Sequence, residues 1–357
     1  MRRLRREFSN RLYLALPDSA AVKFMFWRAH GIWPDVTNPK SFSEKVQYRK
    51  LFVRDERMPL FVDKAEMKRL VGDIVGCNAF TPQTYWVGND VTGVDFNSIP
   101  RPFVVKPTHM CDCVRFVRQE DSLDVESLAN ECRSWLKSRY GAINREWVYR
   151  GIPPRILIEE MLGDGAIPSD YKLWVFGGKV ELIQVDVTRF ERHERAIYDI
   201  FWNKLPVSVS RPTYRRIWNN RPDATARPTP AAREIPRPAT LDTMISVAQK
   251  LGAMFDFVRV DLYEHRGRVA VGELTFFPGS GLARINPESF DLSLGEKWSF
   301  ATQSRNYLPS TENASSTLPG MPPPAEYPEL TNSMPPPRTG PGPSMEPPCA
   351  STPFTVL

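Results

Sequence analysis

Residues 258–281 read VRVDLYEHRGRVAVGELTFFPGSG, and this segment gives the clearest indication of the fold. Apolar and polar residues alternate on both sides of His265-Arg266-Gly267, which predicts two antiparallel strands joined by a tight turn. Asp261 and Glu273 stand twelve residues apart, one on each strand, so their carboxylates can converge. Carboxylate oxygens bridged by nucleotide phosphates are a usual way of holding Mg²⁺. A single carboxylate of this kind would usually form a salt bridge, but Arg259 on the same strand face and the Gly-rich loop that follows favour a metal site.

Further strands and helices surround this hairpin. Residues 172–176 and 180–187 are apolar runs joined by Gly177-Gly178, which predicts a second hairpin. Ser41 and Glu44 match a capping box and predict the start of a helix. The other predicted elements are strands at 103–105 and 156–158 and helices over 64–71, 123–140 and 241–255. Together they indicate an α+β fold with mainly antiparallel strands.

The composition is that of a soluble chain with some unstructured sequence. Of 357 residues, 34 are Pro, and no apolar run reaches the roughly 18 residues of a spanning helix. The net charge of +6 suits an anionic partner, but no basic and aromatic motif indicates nucleic acid. Five cysteines without CxxC spacing favour a reducing compartment, so we expect a cytoplasmic protein.

Two segments are too rich in proline for regular structure. Residues 301–357 contain 14 prolines and few large apolar residues, which predicts a disordered tail. Residues 207–240 place prolines and arginines densely, so we expect a long loop there, either a binding loop or an insertion. The predicted organisation is therefore a helical region over 1–60, an α+β lobe over 61–160, a second lobe over 161–300 that carries this insertion, and the tail.

Two strand ends carry candidate ligand-binding groups. Lys106 closes the run 102–107, where alternation places it on one face with Val104; a cation there favours a phosphate ligand. Residues 156–163 form a buried strand that runs into Glu159-Glu160-Met161-Leu162, whose backbone could meet an adenine edge. Carboxylates are common at strand ends, so this second pattern alone is also consistent with a purely structural role.

A family resemblance connects these patterns. The segments SFSEKVQYRKL, FVDK, PFVVKPTH, REWVYRGIPPRILIEEML, DYKLWVFGGKVELIQVDVTRF, YDIFWNKL, FVRVDLY and GELTFFPGSG occur in this order. The chain resembles the TupA-like branch of the ATP-grasp superfamily over roughly residues 35–300, a branch associated with teichuronopeptide and capsular polysaccharide biosynthesis. The resemblance implies an ATP-grasp fold, in which two α+β lobes with mainly antiparallel sheets clasp ATP, and a mostly helical N-terminal part.

The resemblance also implies roles for individual residues. The cofactors it implies are ATP and Mg²⁺. Phosphates would be held by Lys64 and Lys106, with His109 in the loop beside them. The base and ribose would be met by Glu159, Glu160, Met161, Leu162 and Asp170. The reaction centre would be lined by Lys172, Asp186, Arg189 and Arg259, and the metal would be bound by Asp261 and Glu273, with Thr275 at the third metal position.

Two positions depart from the family pattern. Relatives carry a glycine-rich phosphate loop where residues 109–113 read HMCDC, and Asp112 adds a negative charge there. Thr275 stands where many ATP-grasp enzymes use Asn as a metal ligand. HxCxC also suggests zinc, but it lacks a fourth nearby ligand.

The resulting expectation is an ATP-dependent carboxylate–amine ligase of cell-surface polysaccharide biosynthesis that works through an acyl phosphate. Its partner would be a saccharide or peptide-linked polymer precursor, with peripheral association with membrane-bound polysaccharide machinery at the inner face of the membrane and no nucleic acid. A glycosyltransferase-type protein and a non-catalytic ATP-grasp relative remain alternatives.

Overall fold

Two mainly antiparallel sheets organise the described part of the chain. The computed structural model describes residues 13–76, 79–111, 113–163, 168–187, 194–210, 229–231 and 234–300. The helices are α1 Asp18–His30, α2 Phe42–Phe52, α3 Arg57–Val62, α4 Lys64–Val75, α5 Val125–Leu136, α6 Leu241–Gly252 and α7 Glu288–Lys297. The strands are β1 Thr84–Gly88, β2 Phe103–Pro107, β3 Arg115–Val117, β4 Ile156–Glu160, β5 Asp170–Phe176, β6 Lys179–Val187, β7 Glu194–Tyr198, β8 Ser208–Val209, β9 Thr229–Pro230, β10 Phe257–His265, β11 Arg268–Thr275 and β12 Ile285–Asn286. The predicted α+β class is confirmed.

The smaller sheet has four strands in the order β1-β4-β2-β3, all antiparallel. One face packs on α5 through a core that includes Phe103, Ile158 and Trp135. Because side chains alternate along a strand, the other face carries Lys106 and Val104, with Glu159 directly opposite Val104. The predicted shared face of Val104 and Lys106 is thus confirmed.

The larger sheet has six strands in the order β11-β10-β5-β6-β7-β9. Both predicted hairpins are present, and their turns use positive φ angles at Gly177, Gly178, Arg266 and Gly267. Such angles at both central residues match the twist of antiparallel strands. The central pairing of β10 with β5 joins segments far apart in sequence.

The larger sheet has one mainly apolar face and one face that is apolar at one end and charged at the other, which we call the divided face. Helix α6 covers the apolar face so closely that a Cβ on Gly252 would lie 2.3 Å from Val175 Cγ1. On the divided face, Phe42 of α2 packs on Trp174 and Phe257 at one end of the strands. The opposite end of this face carries charged side chains, which are described below.

Helix α2 also fixes the loop that follows β11. The predicted capping box is confirmed, since Ser41 Oγ accepts from Glu44 N and the Glu44 side chain bonds back to Ser41 N. Lys50 Nζ donates to Ser280 O and Ser280 Oγ, both at 2.7 Å. Gly281 is required beside it, because it has a φ of +62° and an added Cβ would lie 2.7 Å from Val46 Cβ.

Some sequence predictions need correction. The helix expected over 123–140 begins at Val125 and ends at Leu136, and the loop expected at 277–281 contains a 3-10 turn, Pro278–Gly281. The stretch 207–240 is not wholly a loop: β8 pairs with β12, and β9 pairs in parallel with β7. Pro230 is compatible with β9 because that strand lies at the sheet edge, where a missing N–H breaks no ladder.

Parts of the predictions lie outside the described residues. These are residues 1–12, 77–78, 112, 164–167, 188–193, 211–228, 232–233 and the whole of the Pro-rich tail, 301–357, so the predictions on Asp112 and Arg189 fall among them. The proposed domain boundaries stay predictions. Every helix that the structure describes is too short or too polar to cross a lipid bilayer.

Candidate functional site

Helix α4 presents two lysines at the junction of the two sheets. Asp63 caps the helix by accepting from Ala65 N at 2.9 Å, and Lys64 N donates to Thr108 O at 3.2 Å, which ties the first turn to the loop after β2. The Lys64 side chain then reaches Met110 O at 2.9 Å. Lys68 lies one turn further along and was not predicted from the sequence.

Lys68 and Lys106 converge on one buried carboxylate, Glu159. Lys68 Nζ lies 2.5 Å from Glu159 Oε2, and Lys106 forms an ion pair with the other oxygen. Burial alone would raise the pKa of the Glu159 carboxyl, but the two ammonium groups outweigh burial and hold the pKa below its usual value. Lys106, the predicted phosphate ligand, is thus paired with Glu159 in this structure, and its contact with phosphate stays a prediction.

Two backbone N–H groups that follow Glu159 already donate hydrogen bonds within the protein. Glu160 N donates to Gln83 O at 2.8 Å, and Met161 N donates to Pro102 O at 3.3 Å. A purine edge would therefore have to meet the carbonyl oxygens of these two residues rather than their N–H groups. Met161 is buried and Leu162 is half-buried next to it. The predicted adenine contacts of Glu159, Glu160, Met161 and Leu162 stay predictions.

The charged end of the larger sheet holds a buried chain of ion pairs. Arg259 donates to both oxygens of Asp261, at 2.6 and 2.7 Å, so the two side chains share a strand face as predicted, and they form the salt bridge that was the alternative to a metal site. Lys172, directly opposite Asp261 on β5, donates to Asp261 Oδ2 at 2.8 Å and also pairs with Asp170. Asp261 is 3% exposed. Burial would raise the pKa of its carboxyl, but Arg259 and Lys172 lower it below the ordinary range.

Asp186 lies on the same sheet face and has its own cation. It is opposite Asp170 in the β5–β6 register. Arg195 of β7 binds it in a fork, with Nε 2.5 Å from Oδ1 and Nη2 2.9 Å from Oδ2, and Gln184 donates to Oδ2 at 3.1 Å. Arg195 was missed from the sequence, although Asp186 and Arg195 are a cross-strand pair. Arg189, predicted for this centre, lies outside the described residues.

Glu273 connects the larger sheet to the loop after β2. It lies directly opposite Asp261 on the neighbouring strand, so the predicted convergence of the two carboxylates on one face is confirmed. Its Oε1 accepts from Cys111 Sγ at 2.8 Å and lies 3.8 Å from Lys64 Nζ. Tyr149 Oη lies 3.5 Å from the same sulfur, and burial raises the pKa of this phenol well above its usual value.

The remaining predicted residues take neighbouring positions. Thr275 Oγ1 accepts from Arg259 Nη2 at 3.1 Å. His109 is buried in the loop after β2, and burial lowers the pKa of its imidazole. The side chain of Cys111, in the segment 109–113 that stands in place of the family's glycine-rich loop, reaches Glu273. The two residues are 162 apart in the sequence, so spacing along the chain could not reveal this contact.

The donor chemistry fits a magnesium nucleotide. Asp261 and Glu273 supply carboxylate oxygens from adjacent strands, and phosphate oxygens would complete the oxygen ligand set that Mg²⁺ prefers. In the part of the chain that the structure describes, no group of three or more His, Cys, Asp or Glu side chains could hold a metal ion. The described residues alone therefore offer an incomplete set of metal ligands. Both oxygens of Asp261 already accept hydrogen bonds from cations, so Glu273 is the less committed of the two ligands.

Comparison with solved structures gives distant likenesses. D-alanine–D-alanine ligase from Bacillus anthracis is 18% identical, with 62% of this chain and 58% of that chain covered and a TM-score of 0.34. The corresponding ligase from Helicobacter pylori is 15% identical, with 67% and 61% covered and a TM-score of 0.34. L-amino acid ligase from Bacillus licheniformis is 14% identical, with 67% and 46% covered and a TM-score of 0.34. The chain spans less than two thirds of the length of these proteins.

The comparison with family models gives a match over most of the chain. No curated protein gives a significant match to the sequence. A family model described as TupA-like ATP-grasp matches residues 44–299, which include both sheets and every predicted site residue. The expected ATP-grasp fold is confirmed by this match. Since the match spans well over half of the sequence, the chain belongs to the TupA-like ATP-grasp family.

Proposed function

We propose that this protein is an Mg-ATP-dependent ligase that joins a carboxylate to an amine on a precursor of a cell-surface polysaccharide. The observation that carries the proposal is the shared face of Asp261 and Glu273, with Arg259 and Lys172 bonded to Asp261 and Lys64 beside Glu273. Family membership supports the nucleotide part of the proposal. The polysaccharide part rests on the family's association alone.

The charges suit phosphoryl transfer. Phosphoryl transfer depends on positioning and on cations that offset charge at the transferred group. Lys64 and Lys106 would hold the phosphates, while Arg259 and Lys172 would offset charge at the transferred group. Asp261 and Glu273 would hold Mg²⁺, which supplies charge neutralisation when bound. Each cation has a carboxylate partner here, which keeps the buried charges paired before a ligand arrives.

The reaction would have two steps. The substrate carboxylate attacks the terminal phosphorus of ATP, a P–O bond forms, the bond to ADP breaks, and an acyl phosphate results. The amine then attacks the acyl carbon, inorganic phosphate leaves, and the amine gives up one proton as the amide forms. Asp186, held by Arg195, would position groups at this centre.

A thermal-shift experiment tests nucleotide binding. Mg-ATP at 100 times its dissociation constant should add about 2.7 kcal/mol to the free energy of unfolding. Lys106→Ala should lose most of this shift, because it removes a phosphate ligand. Lys179→Ala, at an exposed lysine on β6, is the matched control and should keep it. No shift with millimolar Mg-ATP would exclude a nucleotide site, and equal shifts in both variants would exclude Lys106 as a phosphate ligand.

Turnover tests the ligase step separately. Release of ADP and phosphate should require both a carboxylated saccharide or peptide and an amine. ADP release that needs neither would contradict the ligase assignment while leaving the nucleotide site intact.

A non-catalytic nucleotide-binding relative is the second candidate, and one observation favours it. Cys111 lies in the segment 109–113 that stands in place of the family's glycine-rich loop, and it bonds to Glu273, one of the two proposed metal ligands. Binding of Mg-ATP without turnover in wild type, together with turnover gained by Cys111→Gly, would support this candidate over the ligase.

A further inference from the structure

The buried carboxylate of Glu159 is bonded to two cations, one more than its charge requires. Its side chain is 4% exposed, and Lys68 and Lys106 contact its two oxygens from different elements, α4 and β2. A buried charge is costly when it has no partner, but a single ammonium group in contact is enough to pair this carboxylate. The second ammonium group therefore adds a surplus positive charge, and such a charge suits an anionic ligand.

The two lysines differ in how firmly the protein holds them. Lys68 Nζ also donates to Pro82 O at 2.5 Å, so two acceptors fix its ammonium group. Among the described residues, Lys106 bonds to Glu159 alone, and its side chain is 18% exposed, against 10% for Lys68. Lys106 also lies near the end of β2, next to the loop that Thr108 ties to α4. Lys106 is therefore the cation that can turn more easily to a ligand.

Movement of Lys106 away from Glu159 would leave Lys68 as a stronger partner. Burial lowers the pKa of the Lys68 ammonium group, Glu159 raises it, and repulsion from Lys106 lowers it again. Once Lys106 has moved away, this repulsion is gone while the attraction to Glu159 remains. Lys68 therefore stays charged and can pair the carboxylate by itself.

Charged groups on the neighbouring elements have other positions or partners. Glu160 follows Glu159 on β4 and, because side chains alternate along a strand, lies on the other face of the sheet. Opposite Glu159 on β1 is Thr84, which does not titrate in the range considered. On α4, Glu66 is paired with Arg155 at 3.3 Å. In the described part of the chain, burial and the two bonded lysines therefore govern the titration of Glu159.

We propose that Lys68 is a positioning residue for nucleotide binding: it stays bonded to Glu159 as the counter-charge while Lys106 turns from Glu159 to a nucleotide phosphate. This role rests on the proposed function, since it requires a nucleotide to bind. Without Lys68, the same turn would leave a buried carboxylate with no cation in contact. Such a group takes up a proton instead, because burial raises the pKa of a carboxyl by up to about 3–5 units. Nucleotide binding would then consume a proton that the wild type does not need.

Isothermal titration calorimetry of the full chain with Mg-ATP, in buffers of different ionisation enthalpy, counts the protons taken up on binding. At about pH 6, Lys68→Met should take up about one more proton per nucleotide than wild type. Above the pKa of Glu159 in the complex, its dissociation constant should rise relative to wild type by up to about tenfold per pH unit. Arg69→Met removes a cation of the same helix whose partner is Asp73, so this matched control should give the wild-type proton count.

Two further variants identify the group that titrates. Lys68→Met combined with Glu159→Gln should lose the extra proton, and an extra proton that persists there would overturn the proposal. Lys68→Gln keeps a donor without a charge and should also show the extra proton, so it takes the place of Lys68→Met if that variant does not fold. A wild type that binds Mg-ATP, with no extra proton in either Lys68 variant, would overturn the role of Lys68 and leave the proposed function intact. A wild type that does not bind Mg-ATP would overturn both.

Discussion

Cys111 Sγ lies 2.8 Å from Glu273 Oε1, so a thiol from the loop after β2 bonds to a carboxylate of β11. The contact joins the smaller sheet's loop to the larger sheet at the point where Lys64 also approaches Glu273, at 3.8 Å. In the family pattern this loop is rich in glycine, which lets backbone N–H groups approach phosphate closely. The reactivity of the Cys111 thiol should therefore show whether a ligand reaches Glu273.

Mg-ATP should protect Cys111 from alkylation. At a nucleotide concentration of about 100 times the dissociation constant, the unliganded fraction falls about 100-fold, and alkylation at Cys111 should slow accordingly. The measurement is iodoacetamide labelling followed by peptide mass spectrometry. Cys132 is the internal reference: it is buried, and burial raises the pKa of its thiol to about 11, so it should stay unlabelled throughout. Unchanged labelling of Cys111 under conditions where Mg-ATP shifts the melting temperature would place the nucleotide elsewhere.

The two proposed metal ligands should differ in their effect on stability. Glu273→Gln should change the free energy of unfolding by less than about 1 kcal/mol, because its side chain is 22% exposed and can still accept hydrogen bonds. Asp261→Asn should cost about 3–5 kcal/mol, since it leaves Arg259 and Lys172 buried beside a neutral group. Urea unfolding measures both. Both variants should lose turnover, and full activity of Glu273→Gln would exclude that residue as a metal ligand.

Lys172→Met should be strongly destabilising. Lys172 bonds to both Asp170 and Asp261, so its removal leaves two buried carboxylates with less compensating charge, at a cost of about 3–5 kcal/mol. The matched control is Lys297→Met, which removes a surface pair with Glu181 and should cost at most about 1 kcal/mol. Similar urea midpoints for the two variants would mean that the buried network contributes little.

Lys50 should make stability depend on pH in the alkaline range. Burial lowers the pKa of this ammonium group from 10.5 to about 8. Between these two values the unfolded chain holds a proton that the folded protein has released, so stability should rise with pH, by at most about 1.4 kcal/mol per unit. The difference between the wild-type and Lys50→Met unfolding curves isolates this effect from other groups. A difference that stays flat between pH 8 and 10.5 would show that the folded-state pKa of Lys50 is not lowered.

Local signals made much of the fold predictable. The capping box needs only Ser41 and Glu44, and each hairpin needs only a turn and alternation on both sides of it. The convergence of Asp261 with Glu273 followed from the hairpin around residues 265–267 in the same way. The family resemblance then connected segments that no local rule joins.

An unpredicted strand and a long-range contact explain what the sequence did not reveal. Arg195 lies only nine residues after Asp186, but their pairing depends on β7, a strand that was not predicted. Lys68 reaches Glu159, far along the chain, from a different element. Spacing along the chain does not encode such contacts. Strands β8 and β9 within 207–240 were not predicted, because the segment is rich in proline and a two-residue strand carries almost no periodic signal.

Lys64 and Lys68 stand one turn apart on α4, yet they bond toward opposite sheets, Lys64 to the loop and Glu273 and Lys68 to Glu159. A ligand that draws either ammonium group away from its partner therefore pulls on the helix that carries the other. The base end and the phosphate end of a bound nucleotide would then be energetically coupled through helix α4. The binding free energies of adenosine and of triphosphate, measured separately, would therefore not add up to the binding free energy of ATP.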